Sequence, residues 1–300
     1  MMGPIRAFLI VVTVCGCNQA FDLTSTALRP DAYVVDDDGD GVDDTFDNCV
    51  GVANPLQSDV DRDTLGDACD NCPLIANAGQ EHIGDADPLG DICDPHPATA
   101  GDCPVLVDAF MDPGQFLARW KVKEVVAGSV TAEAGRVELA ASAGAMFTST
   151  ELAGDVFDVA LLGRVTLAKG SGASFMAVSN ATTLLSGYGC GDADVVMQEQ
   201  AQAFWGNATN TGTGGNVLSS VPVASALSLR LVTKDTTGSV SLACRIDHGI
   251  AFGFGTISTP PAIATGSPGA AAYVVPATVY AIAVTRFEPG MMMCPPAVIR

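Results

Sequence analysis

The sequence predicts a mainly β protein in two parts: an acidic segment with little regular secondary structure, followed by an antiparallel β-sandwich. The segment from Asp31 to Asp102 carries 19 of the 34 acidic residues against a single base, Arg62. Short motifs that contain cysteine recur within it. After Cys103 the chain is rich in Ala, Gly, Ser, Thr and Val, and apolar residues alternate with polar ones, which indicates strands. With 300 residues, the chain is long enough for one large core and a second, small module.

The N-terminus resembles an export signal followed by a tether. Arg6 precedes an apolar run over residues 7–14, which is too short to span a bilayer but has the length of a signal-peptide core. The run ends in Val14-Cys15-Gly16-Cys17, which resembles the lipobox of bacterial lipoproteins. This resemblance implies a signal peptide over residues 1–16, lipid on Cys17, and a lipidated tether over residues 17–35.

The cysteine count agrees with export. Ten cysteines are present; Cys15 falls in the signal and Cys17 would carry lipid, which leaves eight. An even number is expected of an oxidised, exported protein. Ordinary signal cleavage before Phe21 is the alternative to lipidation, and it also exports the chain. We therefore expect a secreted protein or a bacterial cell-envelope lipoprotein, at the outer membrane or cell surface, that touches a membrane only through its lipid anchor.

The stretch from Asp36 to Asp47 has the spacing of a calcium loop. It reads D-x-D-x-D-G-x-x-D-x-x-D, which places acids at positions 1, 3, 5, 9 and 12 of a twelve-residue loop and glycine at position 6. Calcium takes six to eight oxygens at about 2.3–2.6 Å, and such a loop supplies them from alternate residues. The predicted ligands are the side chains of Asp36, Asp38, Asp40, Asp44 (directly or through water) and Asp47, and the carbonyl of Val42.

The acidic motifs repeat along the chain. Asp47-Asn48-Cys49 recurs as Asp70-Asn71-Cys72, and Gly66-Asp67-Ala68-Cys69-Asp70 recurs as Gly90-Asp91-Ile92-Cys93-Asp94. A repeat this short is a unit that stacks on its neighbours. Together with Asn54-Pro55-Leu56-Gln57 and the acids that follow, these motifs resemble the thrombospondin type 3 repeat over about sixty residues.

The resemblance implies that residues 36–103 wrap calcium ions with almost no helix or sheet, the ions taking the place of a core. The third copy departs from the pattern because Ile83 stands at position 1, so its site is impaired or needs a ligand from elsewhere. The implied ligands of the second loop are Asp59, Asp61, Asp63, Asp67, Asp70 and the carbonyl of Leu65; those left in the third are Asp85, Asp87, Asp91 and Asp94.

Two disulfides follow from the same resemblance. Bonds from Cys49 to Cys69 and from Cys72 to Cys93 would each close a loop of about twenty residues, worth roughly 3 kcal/mol by chain entropy. The rival interpretation, that Cys69-x-x-Cys72 is a redox or zinc pair, lacks further soft ligands nearby. His82 and His96 have no metal spacing, and we expect them to be solvated loop residues.

The strong negative charge excludes nucleic acid as a natural partner and favours divalent cations. The net charge is −20, and nearly all of it lies in the acidic segment. A disordered acidic linker is the other interpretation. Charge alone, however, does not place Asp at loop spacing twice with cysteines between the loops.

Residues 104–294 predict an antiparallel sandwich, with residues 295–300 as a tail. Strands are expected over residues 156–167, 175–178 and 279–287, and a Gly- and Asn-rich loop over residues 206–216. Many strands without helices favour a sandwich. Two further strands are expected, joined by a turn over Lys234 to Gly238: one faces the core with Leu227, Leu229 and Leu231, the next with Val240, Leu242, Cys244 and Ile246.

The start of this region resembles a laminin-G or concanavalin-like jelly roll, the kind of domain that follows type 3 repeats in thrombospondins. The resemblance is carried by Val107-Asp108-Ala109-Phe110, by Trp120 ten residues later, and by a long final strand. Because the two chain ends lie close in such folds, the resemblance implies a bond from Cys103 to Cys294. Cys190 and Cys244 would then form the internal bridge.

The sequence lacks the motifs of the common hydrolases and nucleotide-binding enzymes. The nearest approach to a glycosidase E-x-D-x-x-E motif runs from Asp192 to Glu199, but its spacing is wrong. In a single strand Asp194 and Glu199 would face opposite sides. Phe204 and Trp205 are expected in the core rather than in a sugar-binding surface.

The functional prediction is therefore a non-catalytic, exported, calcium-binding surface protein. A calcium-stabilised stalk would present the sandwich for adhesion, or for binding a glycan or a surface protein. The alternative is an extracellular glycan-active hydrolase with a calcium-stabilised arm.

Overall fold

The computed structural model describes residues 35–300 except for 125, 141–143, 153–156, 166–173, 182–185, 196–197, 207–210, 218–225, 236–239, 248–251, 258–265, 274–275, 290 and 292. The predicted signal peptide, Cys17 and the tether up to residue 34 lie outside the described residues. Among the helices that are described, none is long and apolar enough to cross a membrane.

The acidic segment folds without regular secondary structure. Residues 35–101, all of which are described, form turns and bends with no helix or strand. Aspartate side chains accept the N–H groups that a helix or sheet would otherwise use, as when Asp38 accepts from Asp40 and Asp40 accepts from Val42. Little apolar surface is buried here: the buried apolar residues of the segment are Cys49, Cys72, Leu74 and Leu89.

The remainder of the chain is built from strands. A 3₁₀ turn, Pro113–Gln115, and a single-turn helix, α1 Phe116–Arg119, follow the first strand. The strands are β1 Asp102–Asp108, β2 Trp120–Glu124, β3 Val130–Glu133, β4 Arg136–Leu139, β5 Ala145–Ser149, β6 Asp158–Val165, β7 Ser174–Ala181, β8 Gly187–Val195, β9 Gln198–Gly206, β10 Thr211–Val217, β11 Ala226–Asp235, β12 Val240–Asp247, β13 Phe252–Ile257, β14 Ser267–Tyr273, β15 Ala277–Phe287 and β16 Val298–Ile299.

Two sheets pack face to face as a jelly-roll-like sandwich. In the described part of the chain, one sheet has the order β13-β12-β11-β6-β15-β1-β16, with β4 also beside β15 and β3 beside β4. The other has the order β10-β9-β8-β7-β14-β5-β2. Among these strands the pairing is antiparallel, except that β16 runs parallel to β1. The architecture confirms the predicted fold class, an irregular acidic module followed by an antiparallel sandwich.

The core lies between the two sheets and is rich in aromatic side chains. Trp120 packs edge-on against Phe147 with 5.1 Å between ring centroids, and Phe110 and Phe116 complete the cluster. The carboxylate of Asp108, 1% exposed, accepts hydrogen bonds from Trp120 Nε1 and from the Phe110 amide, both at 2.8 Å. The Val107–Phe110 and Trp120 pattern of the sequence is thus a buried cluster at the start of the sandwich.

The alternating patterns located most of the expected strands. The segments expected at 156–167, 175–178 and 279–287 fall on β6, β7 and β15, and the two Leu- and Val-rich segments form the β11–β12 hairpin. Leu231, Leu242 and Cys244 are buried, as expected. The predicted turn from Lys234 begins too early, since β11 continues to Asp235, and residues 236–238 lie outside the described part.

Three boundaries differ from expectation. The division after Cys103 falls inside β1, and the expected tail, 295–300, contains β16, which pairs with Leu106 and Val107. The Arg300 amide donates to the Val107 carbonyl of β1, and the Arg300 carbonyl accepts from Ala109, the residue after β1. The expected loop 206–216 contains most of β10, because its glycines pair through the backbone with β9.

Candidate metal centres

The first loop brings its three leading acids together. Carboxylate oxygens of Asp36, Asp38 and Asp40 lie within 4.8 Å of one another. The chain curls back because both oxygens of Asp36 accept backbone N–H groups, from Gly39 at 2.8 Å and from Gly41 at 3.1 Å. These two glycines have φ of 78° and 96°, a conformation that glycine adopts without strain. The three carboxylates that the sequence spacing predicted to converge therefore do lie together.

The second loop repeats this geometry without the glycines. Asp59, Asp61 and Asp63 form the same triad within 4.8 Å, and Asp59 accepts from Arg62 at 2.7 Å and from Thr64 at 3.2 Å. Arg62 and Thr64 have φ of 66° and 88°, which is unusual for residues with a Cβ and especially for a β-branched one. The loop conformation is maintained although the local sequence disfavours it.

Each of the first two loops ends at an aspartate that accepts a hydrogen bond from a glutamine side chain. Asp47 Oδ1 accepts from the Cys49 amide and from Gln57 Nε2, both at 2.8 Å; Asp70 Oδ1 accepts from the Cys72 amide and from Gln80 Nε2 at 2.8 and 2.6 Å. The second oxygen of Asp70 is buried and has no hydrogen-bond partner, and the same is true of Asp61 Oδ2. Burial raises the pKa of Asp61 to about 7, and the charges of Asp70 and Asp63 contribute to the rise.

The aspartates at position 9 accept hydrogen bonds from residues near the start of their own loops. Asp44 accepts from the Asp37 amide at 2.9 Å, and Asp67 accepts from the Val60 amide and the Ser58 hydroxyl at 3.0 and 2.5 Å. Asp67 is buried and lies outside the triad. The amides of Val42 and Leu65, whose carbonyls are the predicted position-7 ligands, donate to Asp40 and Asp63 at 2.8 and 2.9 Å.

Disulfides join each loop to the copy before it. The structure contains the bonds Cys49–Cys69 and Cys72–Cys93, and because the cysteines of C-x-x-C belong to different bridges, that motif is not a redox or zinc pair. The G-D-x-C-D motif requires glycine at its first position for packing, because a Cβ on Gly66 would lie 2.6 Å from Cys49 Sγ. The structure also has the bonds Cys103–Cys294 and Cys190–Cys244, the latter linking β8 to β12 across the sandwich.

The third loop is arranged differently, at the junction with the sandwich. Ile83 is 84% exposed, and Asp91 Oδ1 accepts from the amides of Ile83 and Gly84 at 2.8 and 3.4 Å. Oxygens of Asp87 and Asp94 lie within 4.8 Å of those of Asp102, the first residue of β1. Asp85 and His82 form a further group with Asp87.

His96 corrects an expectation, because it is buried rather than solvated. It is 5% exposed, its Nδ1 lies 2.9 and 3.0 Å from the two oxygens of Asp102, and its ring packs 4.0 Å from that of Phe287. The place of Asp102 and its contact with His96 were not predicted from the sequence, because both depend on how β1 packs against the repeats. The available signal was an acid immediately before Cys103, at the point where the repeats end.

Comparison with known families agrees with this geometry. The sequence model of the thrombospondin type 3 repeat family matches residues 31–57 and 57–80. Residues 31–80 are thrombospondin type 3 repeats. The third type 3-like copy, with its altered position 1, lies beyond the matched residues. No curated protein sequence matches the chain significantly.

Three of the solved structures that are similar to the chain are a lectin-like domain, a carbohydrate-binding module and a glucanase. The first is a legume lectin-like domain from Entamoeba histolytica, at 12% identity, 62% of this chain, 97% of that chain and a TM-score of 0.42. The carbohydrate-binding module CBM66 from Bacillus subtilis matches at 13% identity, 53% and 91% coverage and a TM-score of 0.37. A Bacillus licheniformis β-glucanase matches at 11% identity, 63% and 99% coverage and a TM-score of 0.38.

The donor set of the type 3 repeats fits a hard cation. The triads offer carboxylate oxygens, and the cysteines nearby are all in disulfides. Calcium prefers oxygen ligands, whereas zinc and copper sites are built from sulfur and nitrogen. The repeats thus contain acidic clusters that could hold a metal, and buried, unpartnered oxygens for it to satisfy.

One candidate catalytic pair has a different geometry from the expected one. Asp194 lies in β8 and Glu199 in β9, and the two residues are direct partners across this hairpin. The expectation placed both residues in a single strand, which is wrong; the directions of their side chains lie outside the described part of the structure. Trp205 is partly buried against the core, as expected, and the side chain of Phe204 lies outside the described part of the structure.

Proposed function

We propose that this chain is an exported calcium-binding surface protein, in which the type 3 repeats form a calcium-stabilised stalk that presents the β-sandwich to a glycan or protein ligand. The observation that carries the calcium assignment is the pair of buried, unpartnered oxygens on Asp61 and Asp70. Buried polar atoms are nearly always satisfied in native proteins. A calcium ion in the second loop satisfies both.

Electrostatics makes the ion structural. Two carboxylates about 4 Å apart repel by about 1 kcal/mol in water and about 4 kcal/mol at an effective dielectric near 20, and each triad holds three such pairs. The repeats have few buried apolar residues with which to offset this repulsion. Residues 35–101, the described part of the repeats, contain no helix that calcium could open, so a switch of the EF-hand sensor type is not the role supported.

Calcium titration tests the assignment. We expect heat release on adding calcium chloride, and we expect a chelator to increase the hydrodynamic radius and the protease sensitivity of residues 31–103 while Trp120 and Trp205 keep their native fluorescence. Asp61→Asn should weaken the second site roughly tenfold or more, because affinity follows ligand charge. Asp43→Asn is the charge-matched control, since Asp43 bonds to Thr45 instead. A titration without heat or spectral change would refute calcium binding.

Export and the lipid anchor rest on the N-terminal pattern and on the four disulfides, which suit an oxidising compartment. Cys17 is the proposed site of lipid attachment. In a bacterial host, labelled fatty acid should be incorporated into the wild-type chain and not into Cys17→Ala. Labelling of the variant would rule Cys17 out.

The sandwich is proposed to bind without catalysis, and a glycan-active hydrolase is the second candidate. The observation that favours the second is the register of the β8–β9 hairpin, in which the backbones of Asp194 and Glu199 are partners, since glycoside hydrolases use a pair of Asp or Glu residues. A glycan array and a polysaccharide-turnover assay on the full chain separate the two. Binding without turnover supports the first; turnover that is lost in Asp194→Asn and Glu199→Gln would establish the second.

A further inference from the structure

We propose that Asp102, on the first strand of the sandwich, completes a third cation site with Asp85, Asp87 and Asp94, so that one calcium ion fastens the repeats to the sandwich. The proposal rests on the proposed function only in taking calcium as the ion of the loops. One ligand of this site, Asp102, comes from the sandwich and lies outside the ligand positions of the repeat loops.

Gly101 and Asp102 occupy the place at which a further repeat would dock. In the first two loops the position-5 aspartate accepts the backbone N–H of the residue fourteen positions on: Asp40 from Asn54 at 2.9 Å, and Asp63 from Asn77 at 2.8 Å. In the third loop, Asp87 Oδ2 accepts from Gly101 and Asp102 at 3.1 and 3.0 Å. The start of β1 therefore docks on the third loop as each repeat docks on the one before.

The charge of Asp102 replaces the charge lost at Ile83. The first and second loops each carry five aspartates at ligand positions, and the third carries four because Ile83 stands at position 1. Oxygens of Asp87, Asp94 and Asp102 lie within 4.8 Å of one another, and these residues are 1%, 7% and 0% exposed. Asp102 therefore brings the third loop to five aspartates when Asp91, which accepts from the Ile83 and Gly84 amides, is counted with them.

The surroundings of Asp94 indicate that the cluster needs a cation. Asp47 and Asp70, its counterparts, each face the amide nitrogen of a glutamine, Gln57 or Gln80. Asp94 instead has a carboxylate oxygen of Asp102 within 4.8 Å. Two buried carboxylates in contact are stable only with a proton or a cation between them.

Asp85 provides an independent observation. Its side chain is 7% exposed, its Oδ2 is buried, and that oxygen has no hydrogen-bond partner. Asp85 lies in one group with Asp87, and Asp87 also belongs to the group of Asp94 and Asp102, so the two groups are joined at Asp87. A proton shared by Asp94 and Asp102 leaves Asp85 unsatisfied, whereas a metal ion serves all of them.

His96 holds Asp102 in position. Its Nδ1 contacts both oxygens of that carboxylate, and its ring is fixed against Phe287 of β15. Partners of this kind orient metal ligands and are part of a site. The site would therefore join three parts of the protein: the third repeat, β1 and β15.

Counting bound calcium tests the proposal in the full chain. Equilibrium dialysis against calcium chloride should give three ions for the wild type and two for Asp102→Asn, and Asp85→Asn should lose the same ion. Asp112→Asn is the control, because Asp112 is an exposed acid of the sandwich that bonds to Gly114; it should retain three. Tryptophan fluorescence, from Trp120 and Trp205 of the sandwich, shows whether each variant is folded.

Limited proteolysis gives a second measurement. In wild-type protein, calcium should protect residues 95–101 from proteinase K; in Asp102→Asn that linker should be cut while residues 36–70 remain protected. Three ions of unchanged affinity in folded Asp102→Asn would overturn the proposal. So would two ions in the wild type, which leaves the calcium-stabilised stalk intact, whereas no bound ion would overturn the proposed function itself.

Discussion

At the scale of single residues, buried carboxylates serve two different purposes in this protein. In the repeats they converge on one another, as in the Asp59, Asp61 and Asp63 triad, and repel. In the sandwich Asp108 is instead surrounded by donors, the Trp120 indole and the Phe110 amide. Burial raises its pKa although both bonds act in the opposite direction. The first kind of aspartate needs a cation, and the second is a structural acceptor.

Asp108→Ala should destabilise the sandwich by about 2–4 kcal/mol, because it leaves two buried N–H groups without an acceptor. Urea unfolding, followed by tryptophan fluorescence at fixed calcium, measures the loss. The matched change is Asp112→Ala, which removes an exposed acceptor of a single N–H and should cost less than about 1 kcal/mol. Equal losses in the two variants would contradict the role assigned to Asp108.

At the scale of elements, each disulfide of the repeats encloses the loop that it stabilises. The Cys49–Cys69 bond spans the segment that carries Asp59, Asp61 and Asp63, and Cys49 is one of the few buried apolar residues there. The bond reduces the entropy of the open, calcium-free loop rather than adding contacts to the closed one. We therefore expect the calcium affinity of each loop to depend on its bond as well as on its acids.

Replacing Cys49 and Cys69 by alanine should raise the calcium concentration needed to close the second loop, by at most about 100-fold. This bound follows from roughly 3 kcal/mol of loop entropy. The midpoint of calcium protection against proteolysis of residues 49–70 is the measurement. Cys190→Ala with Cys244→Ala, which removes the bridge inside the sandwich, should leave that midpoint unchanged. The same result for the repeat pair would show that the loop is ordered without its bridge.

The elements that could be predicted from sequence are those whose determinants are local. The spacing of Asp36 to Asp40 gives the first triad, and alternation gives β6, β11, β12 and β15. β10 and β16 were missed because the first is rich in glycine and the second is two residues long, so their strand character comes from their partners. The contact between His96 and Asp102 depends on the position of β1 beside β15, and no periodicity in the sequence predicts that contact.

At the scale of the whole molecule, the two modules differ in what holds them together. The sandwich has an aromatic core between two sheets, and the repeats have acids and two disulfides. Removal of calcium should therefore expand the repeats while the sandwich remains folded. The calcium-dependent and calcium-independent parts meet at the junction, where Asp87 accepts hydrogen bonds from the backbone N–H groups of Gly101 and Asp102.

The Cys103–Cys294 bond determines how the molecule would respond to mechanical force. Tension transmitted through the repeats reaches the sandwich at Asp102, whose partner in β15 is Phe287, and Cys103 is the next residue along. Without the bond, a pull at this end would separate β1 from its neighbours one hydrogen bond at a time. With it, the load passes from Cys103 to Cys294 through a covalent link before the rest of β1 is strained. A sandwich that held its ligand in flowing liquid would keep its shape, and the stalk would be the part that stretches.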